Sequence, residues 1–235
     1  MQIKTVLFLI LGATATAATV FGAYKYPEYK KQKALTARFD AFTQVFAKAE
    51  MPYEVQPATL NMFVTRVFSY DEYVPDTTRN PKTLGRAFAV YIPDMIDGEF
   101  SRSGPDEYVA DKILAENKQY KAVVYKSHSG FDDNYNYILA TYSPFGRLIT
   151  TVPIAYSDGY ESLTACKITA LPDDQLKIAK LTYKNQFLLP IERNDFYSDK
   201  NKITNTILTN TEDLIITREG KLQDLKTGLT QVIKK

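Results

Sequence analysis

With 235 residues and 29 Lys and Arg against 27 Asp and Glu, the chain is nearly electroneutral. That balance leaves no electrostatic footprint for nucleic acid, whose binding rests largely on phosphate neutralisation. One cysteine and one histidine exclude an internal disulfide and a Cys/His zinc site, so stability must come from core burial alone.

The chain opens on an uncharged apolar run, residues 5–24, Thr-Val-Leu-Phe-Leu-Ile-Leu-Gly-Ala-Thr-Ala-Thr-Ala-Ala-Thr-Val-Phe-Gly-Ala-Tyr. At about 1.5 Å of helical rise per residue it reaches across a hydrocarbon core of roughly 30 Å. As a cleavable signal, it has Lys4 as its positive start and Val6–Leu11 as its apolar heart. Ala13-Thr14-Ala15 or Ala15-Thr16-Ala17 would then be the small-residue cleavage site. As an anchor, it runs on through Val20, Phe21 and Ala23 to Tyr24 and Tyr26 at interface depth, with Lys25, Lys30, Lys31 and Lys33 beyond. The anchor is preferred, so the chain contacts a membrane through residues 5–24 if they stay uncleaved. The flanking lysines would by themselves hold the C-terminal domain in the cytoplasm, but long domains translocate largely regardless of nearby charge. Residues 1–24 are therefore a signal peptide or membrane anchor. Residues 25–235 are a single extracytoplasmic domain, membrane-anchored facing the periplasm, or periplasmic or secreted after cleavage.

Pro27 suits a first helical turn, Glu28 complements its N-terminus and Pro52 stops the run, which predicts a helix between them. Leu35, Phe39, Phe42 and Phe46 form its apolar stripe, expected to pack on the domain's sheet. Leu60, Phe63, Val64, Val67 and Phe68 have the spacing of a second short helix, ended by the polar region from Pro75 to Pro81. Ala87–Ile92 is a short continuous apolar run that suits a buried strand or a helix segment. Gly104-Pro105-Asp106-Glu107 opens a predicted helix whose buried face is Val109, Ala110, Ile113, Leu114 and Asn117.

From Tyr120 the period changes. Tyr120–Ser127, Asn134–Ser143, Arg147–Tyr156, Ser162–Ala170, Gln175–Lys184, Lys202–Thr209, Asp213–Arg218 and Lys221–Lys226 read as strands, short and rich in Ile, Leu, Thr, Tyr and Val. Seventeen Tyr and thirteen Phe with no Trp fit half-buried pleated surfaces. Gly146, Asp173-Asp174 and Gly220 supply tight hairpin turns, each followed by a long polar residue and a leucine. Leu176 and Ile178 share a face while Leu181 and Tyr183 take the other, which predicts a bulge or a strand buried on both sides. Pro190 and Glu192-Arg193-Asn194-Asp195 then mark a long loop. The expected class is α+β: an N-terminal apolar helix, short helices over 25–118, then a predominantly antiparallel β-meander over 119–235.

Tyr135-Asn136-Tyr137-Ile138-Leu139-Ala140-Thr141-Tyr142, then Gly146-Arg147-Leu148-Ile149, the polar Ser157-Asp158-Gly159 loop and the Glu219-Gly220-Lys221 hairpin resemble exported β-rich proteins of Bacteroidetes-type bacteria that have no assigned function. The resemblance covers roughly the last hundred residues and contains no catalytic motif. It implies an extracytoplasmic bacterial setting and no particular reaction or ligand.

His128, in Ser127-His128-Ser129-Gly130-Phe131-Asp132-Asp133-Asn134, is the one candidate general base. A nucleophilic serine needs its base within hydrogen-bond reach, yet neighbours on a strand point to opposite faces, so Ser127 and Ser129 are poor partners. No Gly-x-Ser-x-Gly elbow occurs, and a surface histidine is the simpler reading. Asp132, Asn134 and Asn136 have the first spacings of a calcium loop, but Tyr137 stands where its glycine belongs and Ser143 where its glutamate belongs. Asp133-Asn134-Tyr135-Asn136 reads more simply as a hairpin turn. Asp94, Asp97 and Glu99 around Gly98 could serve a glycosidase, though Asp-Gly is an ordinary turn signal. Cys166 lies in a strand context that suits an inert buried thiol. Sugar binding by stacked tyrosines is weakened by the lack of tryptophan. With no coherent catalytic set and no cofactor motif, the expected role is non-enzymatic: binding or structure in the cell envelope, with a protein partner there. The alternative is an extracytoplasmic hydrolase that uses His128 with an acidic partner.

Overall fold

The computed structural model describes residues 33–61, 83–93, 107–129, 132–158, 161–187 and 203–231. Residues 5–24, the helical spacing from Phe63 to Phe68, the acidic group Asp94, Asp97 and Glu99, and the stretch around Pro190 lie outside the described residues. Among the described residues no helix is long and apolar enough to cross a membrane. Two compact units are present, 1–41 and 42–235. In the first, residues 33–41 are helical and Leu35 is 48% exposed, so the expected stripe does not begin there.

The helix α1, residues 33–44, ends eight residues before Pro52. Its last turn tightens through the amides of Val45 and Phe46, which donate to Phe42 O and Thr43 O. Then come β1 (Ala47–Lys48), β2 (Tyr53–Val55) and α2 (Pro57–Asn61), with proline at the first helical position and Leu60 buried. The apolar run at 87–92 is neither strand nor α-helix but mostly a 3-10 helix, Arg86–Tyr91.

The remainder is a meander: β3 (Glu107–Glu116), β4 (Lys121–Ser129), β5 (Asp132–Tyr142), β6 (Leu148–Asp158), β7 (Ser162–Leu171), β8 (Gln175–Phe187), β9 (Ile203–Ile216) and β10 (Leu222–Asp224). Among the described residues every pairing along it is antiparallel, and only β1 joins in parallel, against β3. Two expectations are corrected. The predicted helix from Gly104 to Asn117 is instead β3, and the two strands expected at 202–209 and 213–218 are one, β9. The first error has a physical cause. β3 carries register shifts at Ala110/Lys112 and Ile113/Ala115, so Ala110 and Ile113 of the expected helical face share one strand face at a spacing of three, as Val109, Lys112 and Ala115 share the other. Two bulges thus stretch a period of two into an imitation of helical periodicity.

β6 pairs with β5 from Leu148 to Ala155 but with β7 only at Tyr156–Asp158. The edge of β7 that β6 leaves, Cys166–Ile168, is taken by β2. Pro153, which has no amide to donate, lies on the part of β6 that has left β7. The sheet therefore turns over at β6 into two leaves, β1-β3-β4-β5-β6 and β6-β7-β8-β9-β10 with β2. Tyr120, Val124, Leu139 and Ile154 from the first leaf share one core with Leu163, Ile168, Ile178 and Ile216 from the second. The first leaf's other face is buried too: the Phe42 ring packs on Phe46, Phe88, Tyr91 and Tyr142 at centroid distances of 4.9–5.7 Å.

Gly146, Asp173, Asp174 and Gly220 all have positive φ, as the hairpin reading requires. At that end Tyr120 Oη donates to Asp174 O at 2.6 Å and Thr141 Oγ1 donates to Gly220 O, which locks two turns of the second leaf onto the first. β8 itself pairs with β7 without a shift, so Leu181 and Tyr183, half-buried, take the face opposite Leu176 and Ile178. Of the two expected causes it is burial on both sides, and the inserted residue nearby, Thr209, belongs to β9.

Candidate functional site

Two features stand out chemically, a half-buried ionic cluster and an uncovered strand edge. Asp111, the residue inserted by the first bulge of β3, lies between Tyr53 of β2 and Lys126 of β4. Tyr53 Oη donates to Asp111 Oδ2 at 2.7 Å, and Lys126 Nζ is 3.3 Å from Asp111 Oδ1. Tyr137, opposite Lys126 in the β4–β5 register, presents its ring 4.9 Å below the ammonium. A bulge is what lets the acid reach both neighbours, because it re-aims a side chain that strict alternation would send elsewhere.

Burial, reinforced by Asp111, holds the Tyr53 phenol far above its ordinary range. Burial raises Tyr137 as well, against the opposing pull of Lys126. For Lys126 burial works to lower the value, but Tyr137 and Asp111 outweigh it and the ammonium is stabilised. Cys166, next along the core and 2% exposed, is pushed up to about 12 by burial. Near neutral pH the two phenols and the thiol therefore keep their protons and Lys126 its charge. A general acid or base works best with a pKa near the working pH, and none of these four groups has one. The cluster's chemistry is cohesion: one carboxylate ties β2, β3 and β4 together. Little along the chain signals it, since Asp111 reads as a polar residue on a predicted helix until the bulge is known.

The register places Glu107 of β3 opposite His128 on one side and Tyr135 of β5 on the other. Ser127 and Ser129 flank His128 within the same strand. Asp132, Asn134 and Asn136 all belong to β5, so the expected turn at 133–136 is strand; β4 and β5 close at the Ser129–Asp132 pair, with a register shift before it. Asn136 is exposed and opposite Ser127. Among the described residues no three His, Cys, Asp or Glu side chains could jointly hold a metal ion.

The second feature is the outer edge of β9. β10 covers only Leu214–Ile216, and Gln223–Thr230 pairing closes β10 in turn. Leu225 N donates to Asp213 O, and from Ile203 to Glu212 no described strand pairs with that edge. Ile207 and Leu208 are 42% and 50% exposed there. On its inner side β9 is held firmly: Thr206 Oγ1 donates to Asn185 Oδ1 at 3.1 Å, and Thr209 Oγ1 to Thr182 O at 3.0 Å. Comparison of the chain with protein-family models, curated proteins and solved structures gave no match.

Proposed function

We propose that the chain is an exported protein of the cell envelope, in the bacterial setting its sequence resemblance implies, that binds a protein partner and catalyses no reaction. The observation that carries this reading is the β9 edge, uncovered among the described residues and uncharged from Ile203 to Thr211. Such an edge offers a row of backbone donors and acceptors that an extended segment can join as a further strand. The ionic cluster supports the same reading, because its groups are held in protonation states that suit cohesion. Residues 5–24 would deliver the domain across the membrane and, uncleaved, keep it there.

The test is affinity capture of tagged full-length protein from mildly cross-linked envelopes, with intact-mass analysis of the bait. A stoichiometric partner is expected from the wild type and is lost on Leu208→Lys. Partner retained by that variant moves the binding surface off β9. Bait mass separates a cleaved from an anchored N-terminus.

One observation favours the hydrolase alternative, the β3–β4 register, which sets Glu107 opposite His128. That reading requires His128→Ala to abolish a phenotype that Leu208→Lys leaves intact.

A further inference from the structure

We infer that the strand added to β9 is β9 of a second copy, in an antiparallel pair about a two-fold axis at Ile207. This rests on the reading of β9 as a binding edge. In the β8 register Asn205, Ile207 and Asn210 pair with Gln186, Lys184 and Thr182 and so share one face of β9. Thr206 and Leu208 pair with Asn185 and Tyr183 on the other face, and Thr204 and Thr209 are the inserted residues.

A two-fold antiparallel pair must set residues of the same face opposite one another. Centred on Ile207, it sets Ile207 against Ile207 and Asn205 against Asn210. On the second face it sets Thr206 against Leu208. Apolar contact and amide pairing thus fall at matched positions, with the two exposed apolar residues of the edge at the centre. Like charges directly opposite would oppose self-pairing, and the strand carries none between Ile203 and Thr211. The usual defences of a lone edge, an inward lysine or a proline, are absent from this stretch. Its bulges do add twist, but the second copy brings the same twist by symmetry.

Sedimentation velocity of the full chain in non-ionic detergent, over a concentration series reaching on the order of 100 µM, tests the pairing. A reversible dimer is expected, weakened at least tenfold by Ile207→Lys. Oxidative cross-linking tests the register independently. Residues facing each other across an antiparallel pair lie about 4.5–5.5 Å apart at Cα, within disulfide reach. Ile207→Cys should cross-link to a dimer, and Leu208→Cys, which faces Thr206, should not. Buried Cys166 stays out of the reaction. A monomer throughout the series, a dimer indifferent to Ile207→Lys, or equal cross-linking of both cysteine variants overturns the inference. If the chain is monomeric yet Leu208→Lys loses a captured envelope protein, self-pairing fails and the binding reading stands. A monomer whose capture is unchanged by Leu208→Lys removes both the self-pairing and β9 as the binding surface.

Discussion

Single residues decide where the two leaves meet. Asp111 accepts from Tyr53 and faces Lys126, and removing its charge leaves a half-buried ammonium with a weaker partner. Asp111→Asn should lower stability by about 1–3 kcal/mol in chemical denaturation. Tyr53→Phe should cost less, about 1 kcal/mol, and a double-mutant cycle should show the pair coupled. Gly220 makes the opposite kind of point, since here the absence of a side chain matters. Its φ is +77°, and a Cβ there would lie 2.9 Å from Tyr120 Cβ and 3.1 Å from Ile149 Cδ1. Gly220→Ala combines left-handed strain with overpacking, so a loss of about 2–4 kcal/mol is expected in the same denaturation series. The glycine is readable in the sequence as a turn residue; its closeness to Tyr120, a hundred residues earlier, is not.

At the level of elements, the tight turns at Gly146, Asp173-Asp174 and Gly220 are legible, because their residues act locally. Asp173 and Asp174 both have positive φ, at 63° and 58°. Glycine takes that conformation without steric cost, and the Tyr120 hydrogen bond goes to the backbone oxygen of Asp174. Asp174→Gly should therefore leave thermal stability unchanged or raise it by up to about 1 kcal/mol, whereas Asp174→Val should lower it by about 1–2 kcal/mol. β3 was unreadable for the converse reason. A bulge is set by the strand alongside, and two of them in ten residues gave Val109, Ala110, Ile113 and Leu114 a helical look. The fusion of two expected strands into β9 has a similar origin. Asn210-Thr211-Glu212 has turn-like composition, but Thr182, Leu181 and Lys180 of β8 hold it in register.

At the scale of the whole molecule, the buried groups with shifted values among the described residues share one sign of pH dependence. Tyr53, Tyr120, Tyr137, Lys126 and Cys166 all have raised values in the folded state. Each therefore contributes stability that is complete below its unfolded value and is lost as pH rises through its folded one. The ordinary thiol value of 9.0 is the lowest of the five, and Cys166 is pushed up to about 12. The unfolding midpoint should fall from about pH 9 upward, and Cys166→Ala should move the onset towards pH 10, where phenols begin to titrate. A midpoint flat to pH 11 would contradict this burial pattern.

Near-neutral charge, an apolar run at residues 5–24, strand-rich alternation after Tyr120 and glycine or aspartate at the tight turns are all legible along the chain, because each depends on sequence neighbours alone. Helix or strand at Glu107–Glu116, the carboxylate that Tyr53 and Lys126 share, the fold-over at β6 and the β9 edge uncovered among the described residues are not. These depend on which strands lie side by side. Backbone pairing is made between residues far apart in sequence, and one inserted residue reverses the face of every later residue in its strand.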